Sequence, residues 1–452
     1  MIFLRFAFTS FSCLLLTACL HLSNQDTSSP VELPETFSAK GTNPTQSKWW
    51  LDLKDEPLNQ LIQGALESNL ELKSIWQRLQ QSRALLTQIK ADIYPALDGE
   101  VSTSNTEANN NILETRNTSL GLAASYEIDL WGRIQATAEA QNLEALASEA
   151  AFKAASITLS AEVANTWYRY VEQKAQIVLL SKQLANNQQT LDFIEFRFKQ
   201  GKVNATDVLQ QRQLVENRRG EIISAKSSAA VLAHSLAVLR GVSPGNLDLA
   251  NVHKFKTLPP LPATGVPSEF IQNRPDIQQS LLRVKAADQR VAAALANQYP
   301  RLTLSANIRT SNETLGGVFE QWLGSIAANL IAPLFDAGSR KAAVKQQQAL
   351  LQERINDYGQ NILNAMQEVE NALQQESHQR RLIANLDERL TLSTQIIQRI
   401  KDNYNNGAED YLSVLSAELS DQELQRSRLA AQRQIIEFRI ALYRALARGW
   451  QD

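Results

Sequence analysis

Apolar positions along this chain follow two periods. Residues 118–130 alternate cleanly, with Leu120, Leu122, Ala124, Tyr126, Ile128 and Leu130 on one face. Residues 301–310 do the same, setting Leu302, Leu304, Ala306 and Ile308 against Thr303, Ser305, Asn307 and Arg309. A period of two predicts half-buried strands. Partner strands are expected near 97–104 and 322–335, with polar loops 105–117 and 311–321 closing each hairpin. Elsewhere the period is helical. Ile157, Ala161, Ala164, Tyr168, Val171, Ala175 and Val178 step by four and three. Ile222, Ala225, Ala229, Leu232, Leu236 and Leu239 do so on a return limb, and Ile355, Tyr358, Ile362, Ala365, Val369 and Ala372 in a second set. Sustained spacing near 3.5 predicts supercoiled helices packed knobs-into-holes. The limb 136–199, free of Pro and Gly, would extend about 95 Å at about 1.5 Å per residue.

These elements come twice. The stretch from Asn69 matches the one from Arg274, an offset of about 205 residues. Tyr94-Pro95 falls on Tyr299-Pro300, "EIDLWGR" on "APLFDAGSR", "SAEVANTW" on "MQEVENAL", and "RFKQGKVNATDVL" on "NYNNGAEDYLSVL". Each repeat reads as a helix of about 30 residues, a Tyr-Pro stop, two strands and two long helices joined by a turn. The expected organisation is a signal peptide at 1–18, a tether segment at 19–55, repeats at 56–241 and 268–449 around a linker at 242–267, and a short end at 450–452.

Lys+Arg 45 against Asp+Glu 47 gives a formal net charge of -2, so no basic surplus points to nucleic acid. At the N-terminus, Arg5 precedes an apolar run at 6–16 that ends in Leu16-Thr17-Ala18-Cys19. Short apolar length with small residues at its end is an export signal, not a membrane span. The last four residues look like a lipobox, implying cleavage before Cys19 and lipidation of its thiol; an ordinary signal with an incidental cysteine is the alternative. Leu20, not Asp, then implies the outer membrane, and the mature chain has no second cysteine for a disulfide. Of the four histidines, His21, His234, His253 and His378, none has metal-ligand spacing to another His, Asp or Cys. His234 is expected to pack inside the bundle. No phosphate loop, nucleophile elbow or catalytic triad signature is present, which argues against an enzyme.

Four strands of about 10 residues suit a membrane span, but lipid cannot satisfy an open strand edge and bacterial barrels start at eight strands. Either the strands form a soluble sheet or several chains pool them.

The lipobox, "WWLDLKDEPLNQLI", "NRPDI", both Tyr-Pro strand starts, "YEIDLWGR", "LFDAGSR", "GAEDYLSVL" and "ALYRALARGW" together resemble the TolC-like outer-membrane efflux protein family, in the lipoprotein branch serving resistance-nodulation-division (RND) pumps. The resemblance implies a mainly α chain with a membrane β-barrel: a homotrimer whose twelve strands close a barrel continued by a periplasmic helical tube. It implies a periplasmic adaptor and an inner-membrane RND transporter as partners, contact with outer-membrane lipid, and no cofactor beyond the covalent lipid on Cys19. An exit duct for ABC-driven protein secretion, or a pore-less lipid-anchored scaffold, are the rival readings. The tip turns, 201–207 with Gly201 and Asp207 and 407–413 with Gly407, would form the periplasmic end. The gate candidates implied there are Glu409, Asp410, Tyr404, Tyr411 and Leu412. Glu409 aligns best with the acidic constriction position, while Ser413 and Ser416 stand where other members carry further acids. First-turn acids also favour a helix by about 0.3–1 kcal/mol through its dipole, so capping competes with gating for Glu409 and Asp410, and best explains Asp207.

Overall fold

The computed structural model describes residues 31–42, 48–107, 114–313 and 315–446. The expected signal peptide, Cys19, Leu20, His21 and the end at 450–452 lie outside the described residues. The duplication is plain in the element order. The first copy runs α1 (Glu56–Ser68), α2 (Leu70–Ala91), β1 (Ala96–Glu107), β2 (Glu114–Ile128), α3 (Arg133–Lys199) and α4 (Ala205–Leu239). The second runs α5 (Pro267–Asn273), α6 (Pro275–Ala296), β3 (Arg301–Asn312), β4 (Trp322–Ile331), α7 (Ser339–Asn405) and α8 (Tyr411–Leu446). Both α3 and α7 are 67 residues long, and α4 and α8 are 35 and 36.

The leading helix of about 30 residues is in fact two helices in each copy. In the first, Asn69 leaves the helical region, accepts from the Leu72 amide (2.9 Å) and donates to the Leu239 carbonyl (2.8 Å), so it caps α2. In the second, Arg274 is extended because Pro275 follows it.

One compact unit comprises Gln77–Ala151 and Asp276–Asn361 and holds the sheet. The four strands form an antiparallel meander in the order β1-β2-β3-β4, with β2 and β3 joining the copies. Both hairpins run further than side-chain polarity suggests: β1 pairs β2 out to Glu107↔Glu114, and β3 reaches Asn312. β4 is shorter than expected and stops at Ile331, ahead of Pro333 and the left-handed Ala337. Register decides the faces. Leu97↔Ala124↔Ala306↔Ile326, Tyr126↔Leu304↔Ala328, Ile128↔Leu302↔Leu330 and Leu122↔Ile308 share one face. Asp98↔Ala123↔Asn307↔Ser325, Glu100↔Gly121↔Arg309 and Glu127↔Thr303↔Asn329 share the other, where Arg309 donates to Ser119 Oγ (2.8 Å) and Ser325 to Asn307 (3.0 Å). The apolar face is bare within one chain: Ile326 is 87% and Val101 75% exposed. All ten residues of β4 are exposed. Trp131 stacks on Tyr299 (4.8 Å between centroids) and donates to the Pro300 carbonyl (2.7 Å), marking one end of the sheet; Phe319 and Trp322 mark the other.

The strand-to-helix motifs start the long helices with carboxylates. Asp129 accepts from the Gln135 amide (2.8 Å), and Asp336 from those of Gly338 (3.0 Å) and Arg340 (3.3 Å). Those amide bonds, led by that of Arg340, hold the Asp336 carboxyl below the usual aspartate value.

The other unit comprises Leu33–Trp76, Phe152–Pro275 and Ile362–Asp452. Its core sets Trp49, Trp50, Leu53, Leu58 and Ile62 of the N-terminal segment against Trp167, Tyr168 and Val171 of α3 and Ile436, Ile440 and Tyr443 of α8. The indoles find polar partners: Trp49 donates to Ser160 Oγ (3.1 Å) and Trp167 to Asp55 (3.0 Å). The segment between the copies is held by Arg439, fully buried, whose guanidinium spans Glu376 (2.6 and 2.8 Å) and the carbonyls of Pro259 (2.7 Å) and Pro260 (3.1 Å). The helical stripes read from sequence are largely buried, from Ile157 to Ala175 and from Ile362 to Ala372. Val178, at 52% exposed, leaves the stripe. His234 also lies outside the packed interior, on the exposed side of α4, where Leu236 and Ala237 take the buried positions.

Candidate gate at the paired helix turns

Both hairpin turns close by the same device. After α3, the Gly201 amide bonds the Phe198 carbonyl (2.8 Å) and the Lys202 amide reaches Arg197 (3.0 Å); after α7, Gly407 bonds Tyr404 (3.1 Å) and Ala408 reaches Asn403 (2.9 Å). This is the Schellman closure, whose pivotal residue is left-handed. Gly201 and Gly407 take that role at φ +72 and +76, where a side chain is strained whatever space surrounds it.

Three residues past each glycine the next helix is capped. Asn204 accepts from the Asp207 amide (3.0 Å) while Asp207 accepts from the Asn204 amide (3.2 Å), a reciprocal capping box. Asp410 occupies the matching position ahead of α8 and accepts from the Ser413 amide (2.9 Å) and hydroxyl (3.0 Å). The structure therefore separates the two acids that the sequence left together. Asp410 is engaged as a helix cap. Glu409 matches Val203 of the first turn, is exposed, and has no ion pair or hydrogen bond among the described residues.

Leu412 is also exposed, at 52%, whereas Tyr404 and Tyr411 are buried and pack together with 5.9 Å between ring centroids. The Arg197 guanidinium sits 4.6 Å over the Tyr404 ring, a cation–π contact between the two hairpins. Around them Leu191, Ile194, Val208, Leu214, Val215, Val414 and Leu415 form a small core. The Tyr411 hydroxyl donates to Gln211 Oε1 at 2.6 Å. Burial, then the fields of Glu418, Tyr404 and Asp207, keep that hydroxyl protonated well above the usual tyrosine value. Lys401 pairs with Glu418 at 2.7 Å inside the second hairpin.

Sequence reasoning missed the polar residues about two to five turns from the tips: Gln183, Asn187, Gln211, Arg218 and Gln422 are all buried. The only signal was their place in the heptad stripes, where a polar residue reads simply as a gap.

Comparison with known proteins gives this arrangement its setting. The family model described as outer membrane efflux protein matches residues 61–242 and 266–448. The chain is 32% identical to the Escherichia coli cation efflux system protein CusC over 418 residues, covering 89% of this chain and 88% of that one. It is 28% identical to the Pseudomonas putida pyoverdine export outer membrane protein OpmQ, covering 97% of each. A crystal structure of CusC superposes with a TM-score of 0.87 at 28% identity, covering 94% of this chain and 99% of that one. With two family-model segments over the two structural copies and a relative matched across most of its length, this chain belongs to the outer membrane efflux protein family and is an efflux channel of the outer membrane.

Proposed function

We propose that the chain is one third of the exit duct of a tripartite efflux pump, passing drugs or other small toxic solutes delivered by a periplasmic adaptor and an inner-membrane RND transporter. The observation that carries the reading is the sheet. Among the described residues, the four strands leave β1 and β4 without outer neighbours and turn a continuous apolar face outward. A soluble protein rarely leaves so large an apolar patch bare. Lipid accepts that face but not the open edges. Pooling strands from three copies closes both edges, with the apolar face toward lipid and the Asp98–Asn307–Ser325 face toward water. The aromatic pairs at the two sheet ends suit the interfacial girdles of such barrels. Exposed Leu209, Ile223, Val231 and Val238 on α4 then pack against neighbouring copies, and lipid on Cys19 anchors the mature N-terminus.

In this duct the second hairpin turn constricts the periplasmic opening. Three copies of Glu409 ring it, favouring cations at rest, and adaptor docking parts the hairpins. The test is single-channel recording of the purified protein in a planar bilayer. Small cation-favouring currents are expected, and Glu409→Gln should reduce the cation preference with folding intact. Currents whose selectivity ignores Glu409→Gln would remove the ring and leave the duct.

A further inference from the structure

The two copies meet along β2 and β3, so the chain holds one finished junction between copies and, at β4 and β1, the two halves of another. Two landmarks fix the spacing between the copies. Leu97 and Leu302 each lie two residues past a Tyr-Pro pair, and they pair with Ala124 and Leu330. Ala124 and Leu330 are as far apart along the chain as Gly132 and Gly338. Those glycines accept the Ala136 (2.8 Å) and Ala342 (2.9 Å) amides where α3 and α7 begin, and both have positive φ, +74 and +86. No residue is gained or lost between the landmarks, so each position of β2 has one counterpart on β4, and each of β3 has one on β1.

The β2–β3 junction can then be copied onto β4 and β1. Ile128↔Leu302 becomes Leu334 opposite Leu97, Tyr126↔Leu304 becomes Ala332 opposite Gly99, and Ala124↔Ala306 becomes Leu330 opposite Val101. The faces agree. Leu330 and Val101 both lie on the apolar side, whereas a slip of one residue would set Leu330 against Glu100 or Ser102. Exposure agrees as well: Ile128 and Leu302 are half-buried, while Leu334 and Leu97 are 95% and 70% exposed. β2 keeps its pairing through Ile128, yet β4 stops at Ile331, short of Leu334. The corner beyond the strands is likewise finished once. Trp131 stacks on Tyr299 and donates to the Pro300 carbonyl, tying the end of β2 to the start of β3. Tyr94, the counterpart of Tyr299, has no ring contact among the described residues and is 70% exposed. Trp131 has Ala337 as its counterpart, which carries no ring, but Phe335 two residues earlier is 90% exposed.

We propose that the seam between neighbouring copies repeats the seam inside one: β4 pairs with β1 of a second copy with Leu330 opposite the partner's Val101, and Phe335 packs on the partner's Tyr94 as Trp131 packs on Tyr299. The occupant is a second copy of this chain because β1 is the edge whose spacing and apolar face match β4, and within one chain it lies at the far side of the meander. Both edges carry unpaired backbone groups that such pairing satisfies. The inference rests on the pooled-strand reading above and adds its register and its aromatic corner.

The experiment is disulfide cross-linking of the full chain in isolated membranes, read on non-reducing denaturing gels. Cys13 and Cys19 lie outside the strands, so the wild type is the blank. Cysteines directly opposite each other fall within bonding reach, and cysteines displaced by two residues do not. Val101→Cys/Leu330→Cys should give covalent dimers and trimers that reduction dissolves. The yield should be about tenfold above that of Val101→Cys/Ala328→Cys or Val101→Cys/Ala332→Cys. For the corner, Tyr94→Ala and Phe335→Ala should each lower the temperature at which the oligomer dissociates. The double variant should lower it no further, since both changes remove one contact, and Phe335→Trp should keep the wild-type value. Strongest cross-linking at Ala328 or Ala332 overturns the register, and additive losses overturn the corner contact. No cross-link from any pair, in a preparation that native mass spectrometry shows to be trimeric, overturns the seam and leaves the duct. A folded wild-type monomer removes the pooled-strand reading and the seam with it.

Discussion

Gly407, Glu409 and Asp410 stand within four residues yet answer to different physics. The glycine is fixed by backbone sterics, the aspartate by the orphan Ser413 amide of a helix start, and the glutamate by neither. Asp410→Ala should therefore cost about 1 kcal/mol and speed exchange of the Ser413 amide, Asp410→Asn should retain most of the cap, and Glu409→Ala should leave stability unchanged, all checked by urea denaturation. Composition could not divide the pair, because both acids fall near one helix start. Aligning the second turn with the first does, since Asp410 falls on Asn204 and Glu409 on Val203. Tyr411 carries a pH expectation. Its folded-state value lies above the usual 10.0, so the native chain keeps a proton that the unfolded chain releases. Its contribution is full below about 10 and is lost as pH rises beyond that value. Wild-type stability should fall more steeply above that pH than that of Tyr411→Phe, as read by denaturation midpoints across an alkaline series.

At the level of elements, the strands were legible on one face and not at their ends. Alternation in residues 118–130 and 301–310 locates the apolar face because each side chain of a strand meets only one environment. It fails at the hairpin tips, where backbone pairing continues through Thr, Ser and Asn regardless of side-chain polarity. The long helices were legible throughout, while their leading partners were not, since an asparagine cap at Asn69 and a residue made extended by Pro275 carry no periodic signal. Faces also set the mutational expectation for β4. Ile326→Arg puts a charge on the apolar face at mid-strand and should cost about 2–4 kcal/mol of membrane folding. Ser325→Arg, one residue away on the polar face, should be tolerated. Folding into lipid vesicles, followed by the loss of heat-resistant oligomer on gels, separates the two.

At the level of the molecule, the duplication organises the chain, and the segment between the copies is tied down by one buried cation. Arg439→Met leaves Glu376 buried with only Arg380 (2.7 Å) and frees two proline carbonyls. The expected loss is about 3 kcal/mol, visible as a lower melting temperature and as protease cleavage in residues 242–267. Neither this clamp nor the buried contact between Asn187 and Gln422 announces itself in the sequence, because their partners lie 63 and 235 residues apart and become neighbours only through the fold. One chain is expected to supply a third of a closed barrel. Native mass spectrometry of the detergent-solubilised wild type reads this stoichiometry. A mass of three mature chains, lost in Ile326→Arg, is the predicted result; a folded monomer or dimer with the same secondary structure would contradict it.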